Sequence, residues 1–233
     1  MVNIVTSSIH FPAGARQAMG FLACSEEDGP QPGLLVLQEF WGLNDHIKDV
    51  TKRFAAEGFV ALAPDMYDGK VTTDATEARQ LLTSMDPAAA LQKLQGAIEC
   101  LKANAQVAEK KIGVVGFCMG GFLALNLACN SKDLQAVAAF YGRIPPTSLL
   151  ENLTAPVLYV FGQKDHHLPE ADVDRLEQFI TRTGRTGSVV RYPEADHAFF
   201  NDTRREVYRE ADATDAWIKV LGFLRQHLGE AES

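Results

Sequence analysis

The chain has 233 residues, 46% of them hydrophobic and 22% charged, which fits a soluble protein able to bury a sizeable core. A net charge of −8 argues against nucleic acid or an anionic membrane surface as partner. No run reaches the roughly 18 apolar residues of a spanning helix, and Met1–Ser8 has neither the basic region nor the apolar stretch of a signal peptide. Four cysteines (Cys24, Cys100, Cys118, Cys129) form no C-x-x-C pair and no zinc-ligand spacing, so reduced thiols in a cytoplasmic protein are expected, with no metal site.

In chain order, Gly33–Leu37 is a continuous apolar run, as expected for a strand covered on both faces. Ile47, Val50, Phe54 and Ala55 then recur at helical spacing, and Gly58 marks the stop. Phe59–Ala63 is the next strand, ended by Pro64-Asp65, and a loop follows to about residue 75. One helix is predicted over about 74–84, and a second from Asp86-Pro87, where Asp caps and Pro suits the first turn. Lys111–Val115 is a short strand, Phe122–Ala128 an apolar helix, and Ala136–Phe140 and Val157–Phe161 are further strands. A helix over about 169–182, a strand at Ser188–Tyr192 and a final helix with Trp217, Val220, Leu221, Leu224 and Leu228 on its apolar stripe complete the chain. This alternation predicts an α/β fold with a mostly parallel central sheet and helices on both faces. Residues 1–228 read as a single domain and 229–233 as a polar tail.

The strand at 111–115 runs into the following helix through Gly116-Phe117-Cys118-Met119-Gly120-Gly121, a nucleophile elbow with cysteine in place of serine. Such a turn sets the sulfur at a helix N-terminus, where unpaired N–H groups favour a thiolate. The competing reading is a buried structural cysteine in a glycine-rich bend. An acid and a base decide between them, and both stand at later strand ends: Asp165 after Val157–Phe161, and His197 after Val189–Tyr192. The order nucleophile, acid, base is that of α/β-hydrolases. His197 would share the thiol proton, and Asp165 would fix its tautomer. Asp196, His166 and His167 are the nearest alternatives. Asp196 adjoins His197, and the two histidines follow the strand that should carry the acid.

A second loop, Gln38-Glu39-Phe40-Trp41-Gly42-Leu43-Asn44, follows the first of these strands. It would supply one oxyanion donor, the Phe40 N–H, alongside the Met119 N–H, each contributing on the order of 3 kcal/mol. Glu39 is a carboxylate at a strand end, readable as a site residue or as a solvated loop charge.

With these segments, Gly58–Tyr67, Phe140-Tyr141-Gly142, Gly162–Asp165 and Ala195-Asp196-His197, the chain resembles the dienelactone hydrolase family from Gly33 to about Trp217. The resemblance implies a Cys-His-Asp triad in a small α/β-hydrolase without a large cap or a cofactor. It also implies that Glu39 helps to ionise the cysteine when substrate binds. The family's type activity opens dienelactones, and its arginine four residues after the catalytic histidine holds the substrate carboxylate. That position is Asn201 here. Arg79 and Arg143 are the other candidate cations, and Trp41 and Tyr141 further candidate substrate contacts. The expected activity is therefore hydrolysis of small activated esters or lactones by a monomer or small homo-oligomer. The alternatives are a non-catalytic hydrolase-fold binding protein and a thiol redox sensor.

Overall fold

A computed structural model describes residues 2–26 and 29–229. Fifteen elements follow in order: β1 (Ile4–Ala13), β2 (Arg16–Ser25), β3 (Gln31–Leu37), α1 (Asp45–Ala56), β4 (Val60–Pro64), α2 (Ala75–Ser84), α3 (Pro87–Lys102), β5 (Val107–Phe117), α4 (Met119–Asn130), β6 (Ala136–Phe140), α5 (Thr147–Leu150), β7 (Val157–Gly162), α6 (Glu170–Thr183), β8 (Gly187–Tyr192) and α7 (Glu210–Leu228). The strands form one sheet in the order β1-β2-β4-β3-β5-β6-β7-β8. From β4 to β8 the pairing is parallel, while β2 pairs antiparallel with both β4 and β1. The expected tail lies, past Gly229, outside the described residues.

The parallel strands β3, β4, β6 and β7 are buried on both faces, which explains their continuous apolar runs. Leu35 and Leu37 of β3, Val114 of β5 and Tyr159 of β7 pack with α3, α4 and α6. Their neighbours Leu34, Val36, Val115 and Val160 pack on the opposite face with α1 and α7. The period-2 alternation of strand side chains therefore separates two cores, one per face.

The hairpin β1–β2 is absent from the sequence-based expectations, which read no strand before Gly33. Val5–Ser8 of β1 are exposed on both faces, and only its last five residues, Ile9–Ala13, alternate between covered and exposed positions, so it carries no apolar run and only a short alternation. Its turn has Gly14 at φ 61, with Ala13 paired to Arg16, placing glycine at the first central position of a two-residue loop. The elbow strand is longer than its apolar part, extending back to Val107, and the one-turn helix α5 was also not expected. No helix among the described residues is long and apolar enough to cross a membrane.

Candidate active site

The carboxyl ends of β3, β5, β6, β7 and β8 bring the candidate residues together. Between β5 and α4, Cys118 has φ 54 and ψ −113, a left-handed backbone that a side-chain-bearing residue adopts only when its surroundings impose it. The Cys118 N–H donates to the Phe140 carbonyl at 3.0 Å. Cys118 is also the N-cap of α4, yet its side chain makes no capping hydrogen bond. The sulfur is thus left at the positive end of the helix without being consumed by it.

The glycines of the elbow are required by close backbone approach. A Cβ on Gly116 would lie 2.0 Å from the Gly120 carbonyl oxygen, and one on Gly120 would lie 2.2 Å from that of Leu37. Gly120→Ala therefore pushes α4 off the end of β3. We expect a loss of roughly 3 kcal/mol, seen as a melting temperature lowered by roughly 6–12 °C. A melting temperature within a degree or two of the parent would mean that the elbow relaxes without cost.

Asp165 follows β7, and its side chain has no exposed surface. Its Oδ1 accepts from the His167 N–H at 2.7 Å, and its Oδ2 lies 2.6 Å from His197 Nδ1. The Cys118 side chain raises the pKa of the same imidazole, and with Nδ1 engaged by Asp165 it is Nε2 that is left for the thiol. Burial alone would lower the His197 pKa, but the hydrogen bond to Asp165 and then the Cys118 side chain outweigh it and push it up to about 10.

Glu39, at the end of β3, is 1% exposed. Its Oε1 accepts from the Tyr141 hydroxyl at 3.4 Å, and its Oε2 from Asn201 Nδ2 at 2.8 Å. Tyr141 is fully buried at φ 38, its N–H on the Val160 carbonyl at 2.8 Å and its ring 5.1 Å from that of His197. Burial, and then the charge of Glu39, raise the Tyr141 pKa well above the ordinary phenol range. In the turns and loops of the described residues, neither the Phe40 nor the Met119 N–H is committed to a backbone acceptor.

The remaining candidates are placed differently. Trp41 is half-buried against Phe40, their ring centroids 4.3 Å apart. Asn201 is buried with its amide on Glu39. The side chains of Arg79 and Arg143 are exposed and make no hydrogen bond or ion pair with a described residue. Among the alternatives, His166 is exposed. His167 meets the triad through its backbone and through its ring, 5.0 Å edge-on from that of His197.

Two nearby residues escaped sequence reasoning. Arg204 lies 5.7 Å from the centre of the Trp41 ring, close enough for its charge to act on Tyr141. The Tyr67 hydroxyl donates to Met119 Sδ at 3.1 Å. Tyr67 sits in the segment that carries the family resemblance, whereas nothing in the sequence singles out Arg204.

A parallel sheet with an antiparallel edge hairpin, helices on both faces and an elbow between β5 and α4 define an α/β-hydrolase. A sequence model of the dienelactone hydrolase family matches residues 19–228. A Synechocystis protein provisionally named a carboxymethylenebutenolidase is 34% identical, over 97% of this chain and 99% of its own length. Two solved structures are similar. One, from Klebsiella pneumoniae and provisionally assigned as a dienelactone hydrolase, has 29% identity and a TM-score of 0.89, covering 96% of this chain and 99% of its own. The other, a dienelactone hydrolase-like promiscuous phosphotriesterase from metagenomic libraries, has 25% identity and a TM-score of 0.88, covering 96% and 98%. The chain belongs to the dienelactone hydrolase family. It is accordingly a hydrolase of the ester and lactone class.

Proposed function

We propose that the chain hydrolyses small activated esters or lactones through a Cys118-His197-Asp165 triad and a thioester acyl-enzyme. Cys118 thiolate attacks the carbonyl carbon, and the developing oxyanion is met by the Phe40 and Met119 N–H groups. Collapse expels the alcohol or enolate, which takes a proton from His197. Water, deprotonated by His197, then cleaves the thioester and releases the acid and the free thiol. In a lactone the leaving oxygen stays tethered to the acyl group, and an enol ester suits a thiolate because its leaving group is weakly basic. Glu39 is the second carboxylate of the site and helps to ionise the thiol when substrate binds.

The observation that most supports this reading is the His197 imidazole held by Asp165 Oδ2 at 2.6 Å, with its pKa raised by Asp165 and then by Cys118. The names of the relatives favour lactones such as dienelactone. One sheet carries every residue of the site, which supports reading residues 1–228 as one domain. A reduced, cytoplasmic setting for the four cysteines is part of the same proposal. A monomer or small homo-oligomer acting on a small molecule belongs to the same proposal.

The test is acid-quenched mass spectrometry during turnover of an activated aryl ester. A covalent mass increase equal to the acyl group should map to the peptide containing Cys118. Burst kinetics with an adduct elsewhere, or rapid turnover with no adduct under single-turnover conditions, would overturn the thioester route. Tight metabolite binding without hydrolysis would favour the binding-protein reading.

A further inference from the structure

The two oxyanion donors of the proposed site come from separate stretches of chain, Phe40 from the loop after β3 and Met119 from the start of α4. A third stretch, residues 65–72 after β4, touches both. Its Met66 N–H donates to Gln38 Oε1 at 3.2 Å, and its Thr72 N–H to the Trp41 carbonyl at 3.0 Å. A Cβ on Gly42 would lie 2.3 Å from the Lys70 carbonyl oxygen, so the loop that carries Phe40 is seated directly on this turn. The turn is itself fixed by Asp65, a buried carboxylate that accepts from the Tyr67 N–H at 2.9 Å and from the Gly69 N–H. Lys93 of α3 adds a bond to the Asp65 carbonyl at 2.7 Å.

From this turn Tyr67 reaches α4. Its hydroxyl donates to Met119 Sδ at 3.1 Å, and both side chains are buried. A thioether is a weak acceptor, so the bond adds little to the stability of the fold. Burial, and then the charge of Cys118, hold the hydroxyl above the ordinary phenol range, which keeps it protonated and donating.

We infer that Tyr67 is a positioning residue for the oxyanion hole: its hydroxyl, on the turn that seats the Phe40 loop, pins Met119 and so fixes the spacing of the two N–H donors. The inference rests on the proposed roles of Cys118, Phe40 and Met119. The donors must meet, at roughly 2.7–3.1 Å, an oxygen that carries its charge only during the reaction. A tie of little worth to folding can therefore still govern rate.

The experiment treats the parent, Tyr67→Phe, Met119→Leu and the double variant with a small alkyl trifluoromethyl ketone and follows the adduct by fluorine NMR against pH. The Cys118 thiolate adds to the carbonyl carbon, forming a C–S bond, and the carbonyl π pair becomes an oxyanion in the hole. In Tyr67→Phe that oxygen should ionise about 0.7 pH unit higher, a fivefold loss of oxyanion binding. For activated aryl esters kcat should fall about fivefold, with KM within about twofold and the melting temperature within about 3 °C. Met119→Leu keeps the bulk and removes the acceptor, so it should do the same, and the double variant should be no worse than either single one. Fully additive shifts overturn the inference. A lower kcat that follows the melting temperature, with the adduct unmoved, makes Tyr67 a packing residue and overturns it too.

The parent separates this inference from the proposed function. If its adduct does not form on Cys118, or its oxygen ionises at the same pH as in the adduct of a free thiol, the nucleophile and oxyanion-hole readings fall and the inference with them. If the parent oxygen ionises at clearly lower pH and neither single variant moves it, only the inference falls.

Discussion

Cys118→Ala is expected to lower kcat/KM for activated aryl esters about a hundredfold or more while leaving the fold intact. The two halves of that expectation have separate physical origins. Alanine keeps a Cβ, so the φ of 54 at this position is neither relieved nor worsened. The sulfur it removes is only partly buried, makes no helix-capping bond and acts on the His197 imidazole. The melting temperature should therefore stay within about 3 °C of the parent. The chemistry, in contrast, loses the atom that forms the acyl bond, and an oxyanion hole alone leaves only residual rate over water. Ester turnover and differential scanning calorimetry on one preparation measure both. Unchanged turnover would remove Cys118 as nucleophile, and lost turnover with a collapsed melting curve would show that the elbow cysteine serves packing.

How much of this was legible in the sequence follows from where each feature gets its energy. The strands at Leu34–Leu37 and Val157–Phe161 are covered on both faces, so their burial is written locally as continuous apolar runs. The elbow is equally local, because glycine is needed wherever backbone meets backbone, as Gly116 meets Gly120 and Gly120 meets Leu37. With the strand ends in place, Asp165 and His197 could be paired across 32 positions by the rule that reacting groups gather at carboxyl ends.

What stayed hidden was set by partners far along the chain. β1 is a strand because β2 pairs with it and with β4, not because its own residues demand it. The direction of the Asn201 amide is set by Glu39, 162 positions away, and by Thr203 on its oxygen. Arg204 becomes interesting only once the loop lays it against Trp41. Tyr141 is held at a positive φ by its bond to Val160 and by burial, and no local signal announces that for a tyrosine.

Asp165→Asn is expected to lower kcat/KM about a thousandfold, through a tautomer and not through lost packing. The asparagine oxygen can keep the bond from the His167 N–H, now 2.7 Å from Oδ1, which turns the new NH2 group toward His197 Nδ1. That nitrogen must then accept, so the ring proton sits on Nε2, facing Cys118. An imidazole in that state cannot take the thiol proton. The titration of His197 should move with it. In the parent, burial lowers the pKa, but the bond to Asp165 and then the Cys118 side chain carry it from 6.5 to about 10. Removing the larger of these effects should bring it back toward 6.5 or below. Because the folded value lies above the unfolded one, protonation of His197 stabilises the parent fully below pH 6.5, and that stabilisation is lost as pH rises through about 10. The variant should lack this alkaline loss. NMR titration of the His197 ring, iodoacetamide alkylation at pH 7 and melting curves from pH 6 to 11 measure the three consequences. Alkylation should slow because a neutral imidazole no longer favours the thiolate. A His197 titration still near 10, with turnover within about fivefold of the parent, would mean that Asp165 does not orient the base, and the adjacent Asp196 would be the next acid to test.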